Sequence, residues 1–80
     1  MKEETLHMGK LIKQKLIEHD RTISWLAKKL DCSNSTLSRQ LKQQHLYADL
    51  MFDISMALEE DLFVYYSQIL MESGVLHKMQ

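Results

Sequence analysis

Apolar residues recur along this chain at intervals of three and four in five separate stretches, the spacing of helices that each bury one face. Met8, Leu11, Ile12 and Leu16 predict a first helix starting at Leu6 or Met8 and ending near His19 and Asp20. Gly9 sits inside it at a cost of up to ~1 kcal/mol relative to Ala, which a close helix contact would explain. Ile23, Leu26, Ala27 and Leu30 define a second helix with Lys28 and Lys29 outside, Trp25 at its flank and Thr22 as N-cap, its hydroxyl able to accept from a first-turn N–H. Asp31 and Cys32 form a turn, Ser33 caps a third helix, and Leu37 and Leu41 take its inner face.

Gln43, Gln44 and His45 then break the pattern. A fourth helix from about Tyr47 to Leu58 points Leu50, Met51, Ile54 and Leu58 inward and places Asp49 in its first turn, where a negative charge suits the helix dipole. After the break at Glu59, Glu60 and Asp61, a fifth helix runs from Leu62 to about Ser73, with Gly74 as its C-terminal cap and Val75 folding back. The reading is an all-α fold of five helices, with a core over about 6–73, a short arm at 1–5 and a tail at 74–80.

Two of these helices have unusual outer faces. The second and third are separated by a break too short for a free loop, so they cross steeply, which is the layout of a helix-turn-helix. The third turns Asn34, Ser35, Ser38, Arg39 and Lys42 outward. Amides, hydroxyls and guanidinium groups bond base edges and phosphates, whereas an ordinary helix surface carries better helix formers such as Glu, Lys or Ala. The fifth helix is too apolar for one core face. Leu62, Val64, Tyr65 and Ile69 are expected at a homodimer contact, with Phe63 and Tyr66 more inward.

Eighty residues supply one core and hence one domain. A hydrophobic share of 45% with 26% charged residues fits a soluble globular chain, not a disordered one. The net charge of −1 is unevenly spread: residues 1–46 carry nine basic and five acidic side chains, residues 47–80 one and six. The basic half can face phosphate while overall non-specific affinity stays modest. One cysteine, Cys32, excludes an internal disulfide framework and fits a reducing compartment, where a buried, inert thiol is expected. With no apolar run of about 18 residues and no secretory leader, the expected location is cytoplasmic, away from membranes.

Other chemistry finds no pattern. His7, His19, His45 and His77 lack metal-ligand spacing and read as surface or helix-end residues. Glu59, Glu60 and Asp61 lack the alternating ligands and Gly of a calcium loop and read as a solvated turn. Nothing positions a nucleophile with a base, so neither catalysis, nor a metal, nor a cofactor is expected.

The segment LAKKLDCSNSTLSRQL resembles the helix-turn-helix of the lambda-repressor-like (XRE-type) DNA-binding domains, with Ala27 at the small position of close approach and Leu37 at the buried position of the recognition helix. MGKLIKQKLIEHDRTIS is similar to that family's first helix and LMFDISMALEEDLFVYYSQIL to its fourth and fifth, so the likeness spans roughly Met8 to Leu70. Asp31 stands where the family's turn usually carries Gly, a position that Asp tolerates in the left-handed conformation. The resemblance implies a transcriptional regulator that binds duplex DNA. Asn34, Ser35 and Arg39 fall where base-reading residues lie, with Ser33 and Ser38 beside them, and Thr22, Ser24, Lys42 and Gln43 where the backbone is contacted. The alternative is an antitoxin or protein-interaction adaptor of the same fold, with another protein as partner.

Overall fold

The computed structural model describes residues 6–74. Among them the chain forms five helices and no strand: α1 (Met8–Glu18), α2 (Ile23–Leu30), α3 (Asn34–Gln40), α4 (Ala48–Leu58) and α5 (Val64–Ser73). The arm at 1–5, Val75 and His77 lie outside the described residues.

Side chains open the first three helices. His7 Nδ1 accepts from the Lys10 N–H at 3.1 Å, Thr22 Oγ1 from the Trp25 N–H at 3.0 Å and Ser33 Oγ from the Thr36 N–H at 3.1 Å. Each such bond satisfies a helix-end donor that would otherwise have none, an effect worth about 0.5–2 kcal/mol at Thr or Ser. The expected caps Thr22 and Ser33 are both in place. Asp31 closes α2 in the left-handed conformation at φ 59°, and the Cys32 N–H donates to the Ala27 carbonyl at 3.0 Å. Asp20 and Glu59 adopt the same conformation after α1 and α4.

Met8, Ile12, Leu26, Leu37, Leu41, Ile54 and Leu62 are fully buried and come from the first four helices and the connectors after α3 and α4, none from α5. Each such side chain withdrawn from water contributes about 1.5–3 kcal/mol. Ala27 is buried too, and α2 packs against both α3 and α4. Gly9 has the close contact its position suggested: a Cβ there would stand 1.8 Å from the Leu41 carbonyl oxygen. The start of α1 thus lies directly on the backbone that leaves α3. The connector after α3 is fastened to the same place, since the Met8 N–H donates to the Gln44 carbonyl at 2.7 Å and Gln44 Nε2 to the Leu6 carbonyl at 3.2 Å.

Several expectations change. Leu62 is fully buried and so belongs to the core, not to an exposed contact patch. The fifth helix begins at Val64, because Ser55 Oγ accepts the Leu62 N–H and Asp61 Oδ1 the Phe63 N–H, which holds 61–63 as a turn. Phe63, expected inward, is 37% exposed, and Cys32 is half-buried rather than buried. Ile23, Leu30 and Leu50 also sit at the margin of the core.

The acidic break is more than a solvated turn. Glu60 accepts from Lys15 Nζ at 3.1 Å and faces His19 Nε2 at 2.5 Å, which ties the connector before α5 to the end of α1. These partners, His19 first and Lys15 second, hold the Glu60 carboxyl below its ordinary range. Lys15 also stands 5.5 Å from the Tyr65 ring centre, and Tyr65 and Glu60 together raise its pKa.

Candidate nucleic-acid interface

The face of α3 away from Leu37 is assembled from short polar side chains held at the helix start. Asn34, Ser35 and Arg39 are exposed, Ser38 is half-buried, and Lys42 and Gln43 are exposed just beyond the helix. Arg39, Lys42 and Gln43 make no side-chain hydrogen bond or ion pair with any described residue. Their donors therefore remain available to an external acceptor.

The start of α2 is joined to the start of α3. Asn34 Nδ2 donates to Ser24 Oγ at 2.6 Å. One amide N–H is used in this bond, which leaves the second N–H and Oδ1 of Asn34 for a base edge, while Ser24 keeps its own hydroxyl proton. Thr22 is in a similar position, because its oxygen accepts from Trp25 while its proton can still be donated. Ser33 differs. Its oxygen accepts from the Thr36 N–H, its proton is directed to Thr36 Oγ1 at 2.9 Å, and Ser35 Oγ lies 3.3 Å away. Ser33 thus serves the helix end from both sides of its hydroxyl.

Geometry brings the predicted residues into two groups. Ser24, Asn34 and the Ser33–Ser35 pair meet at the junction of the two helix starts, while Arg39, Lys42 and Gln43 follow at the other end of α3. Sequence reasoning missed a pair of cations around Trp25 of α2: Arg21, in the connector before the helix, lies 4.7 Å and Lys29 of α2 5.6 Å from its ring centre. The i,i+4 spacing of Trp25 and Lys29 on α2 was the available signal for one of them; Arg21, before the helix, carried none.

Away from this face, His45 Nδ1 and Tyr66 Oη are 2.7 Å apart, linking the connector after α3 to α5, and burial raises the Tyr66 pKa. Val64, Ile69, Leu70 and Met71 of α5 are exposed, while Tyr65 and Tyr66 lean against the core. No group of three potential metal-ligating side chains occurs among the described residues, and no helix there is long and apolar enough to cross a membrane. Comparison with protein-family models, curated proteins and solved structures returns no match for this chain.

Proposed function

We propose that this chain is a sequence-specific, duplex-DNA-binding regulator of transcription, of the lambda-repressor-like helix-turn-helix type, that lays α3 in the major groove. The observation that carries the reading is the α3 face itself. Asn34, Ser35 and Arg39 are exposed together on one short helix, and Leu37 and the Ser24–Asn34 bond hold that helix rigidly on α2. Asn can bond adenine twice and Arg guanine twice, each worth about 1–3 kcal/mol of discrimination. Thr22, Ser24, Lys42 and Gln43 then meet the phosphates. The exposed apolar residues of α5 support a homodimer whose two reading helices stand about one DNA turn, roughly 34 Å, apart on a near-palindromic site.

Binding to random duplex across a salt series tests this. Log affinity should fall linearly with log salt, at about 0.9 per phosphate contacted. No association even at low salt overturns the reading. A protein-interaction adaptor or antitoxin of the same architecture would then stand in its place, favoured by the apolar surface of α4 and α5 and the acidic second half of the chain.

A further inference from the structure

The reading face carries little positive charge of its own. Arg39 and Lys42 are the cations at α3, and Lys15 is taken up by Glu60. Three further cations gather around Trp25 of α2. Arg21 and Lys29 stand beside its ring, and Lys28 and Lys29 border a shallow hollow with it. Arg21, Lys28 and Lys29 are exposed, and none forms an ion pair with any described residue. Asp20 and Asp31 are near in sequence, and Asp53 and Glu59 border the adjoining hollows on the α4 side, yet none of the four pairs with these charges.

A cation over a ring face spends no hydrogen-bond donor on that contact, so the N–H groups of Arg21 and Lys29 stay available. The Trp25 indole N–H, which can only donate, also bonds to no described residue. Trp25 itself is half-buried against the core and gives the group a fixed platform. Positive charge and unused donors around one fixed ring suit phosphate oxygens.

The patch is also in the right place. Lys28 stands one turn after Ser24 on α2, and Ser24 is bonded to Asn34 at the start of α3. A helix is about 10–12 Å across and the major groove about 12 Å wide, so α3 fills the groove and the helix bonded to its start crosses the phosphate backbone.

We propose that Arg21, Lys28 and Lys29, arrayed around Trp25, form a second contact surface for duplex DNA and take phosphates beside the groove that α3 occupies. The inference rests on the DNA reading above and deepens it: the larger share of the salt dependence arises on the α2 side, not on the reading helix.

Trp25 is the only tryptophan of the chain, so its fluorescence reports on this surface. Titrating the full chain with a random-sequence duplex at several salt concentrations should change the emission as the complex forms. Arg21→Gln, Lys28→Gln and Lys29→Gln should each weaken all sequences several-fold and flatten the slope of log affinity against log salt by about 0.9, with base preference unchanged. The charge-keeping variants Arg21→Lys, Lys28→Arg and Lys29→Arg should retain the parent slope. A flattened slope in these too would mean that the residues act through the fold, and would overturn the proposal. If the parent binds the duplex while the three neutral variants keep its slope, the second surface is overturned and the DNA reading stands. If the parent shows no association even at low salt, both fall.

Discussion

Helix α3 sends Leu37 wholly into the core and turns an amide, hydroxyls and a guanidinium outward, whereas α5 buries no residue completely and turns Val64, Ile69, Leu70 and Met71 to solvent. α3 has only seven residues, too few to persist alone. Its Ser33 cap, the packing of Leu37 and the Asn34–Ser24 bond hold it, and Arg39 on its outer face makes no side-chain bond with any described residue. α5 is longer but rests on the half-buried Tyr65 and Tyr66 and on its Gly74 end cap. Its outward side chains are the kind that a folded chain normally covers. One helix is anchored and offers polar groups; the other is lightly anchored and offers apolar ones.

Truncating each helix at a leucine is the strongest way to break that contrast. Leu37→Ala should cost about 2–5 kcal/mol in urea unfolding, since a fully buried side chain leaves a cavity. Leu70→Ala, measured where the protein is monomeric, should stay within about 0.5 kcal/mol of the parent. Equal losses would mean that α5 is as firmly built into the core as α3.

The outer faces should separate as cleanly. Arg39→Ala should weaken the preferred duplex by about 1–3 kcal/mol and relax preference at one base pair, while Lys42→Ala should weaken all sequences alike and flatten the salt slope by about one unit. On α5, Ile69→Lys with Leu70→Lys should leave unfolding nearly unchanged but turn a dimer seen by sedimentation into a monomer. A parent that is already monomeric, free and on DNA, would remove the dimer and leave the α5 patch to another protein.

The contrast was unequally legible in the chain itself. Helical periodicity located the first four helices, because Met8, Ile12, Leu26, Leu37 and Ile54 mark the buried side at the right intervals, while the fifth was placed by its run of apolar residues between Asp61 and Gly74. Ser33, Thr22 and Asp31 announced the α2–α3 turn through local chemistry, which is written in adjacent residues. Leu62 defeats the pattern because periodicity alone does not say whether an apolar residue before a helix turns back to the core; the local bonds of the Leu62 N–H to Ser55 and of the Phe63 N–H to Asp61 hold the turn that sends it there. The Asn34–Ser24 bond and the Glu60 pairings were invisible for a different reason, each joining residues ten or more positions apart.

The smallest expected effect probes what ties α5 to the rest. Glu60 stands before α5 and pairs with Lys15 and His19 of the α1 end, while Lys15 also covers Tyr65. Glu60→Gln should therefore loosen the α5 side without touching the α3 caps. These groups are partly solvated, so the loss near neutral pH should be only about 0.2–1 kcal/mol and should shrink with salt. Because the folded carboxyl titrates below its ordinary value of 4.5, its contribution is complete above that value and vanishes as pH falls through the lower folded one. Lys15, shifted upward, adds no pH dependence in the acid range, since its contribution fades only above its ordinary 10.5. Urea unfolding of parent and Glu60→Gln protein from neutral to acid pH should show two stability curves that converge below about pH 4.5. A gap that stays constant into acid would show that the Glu60 charge is not what fastens the connector.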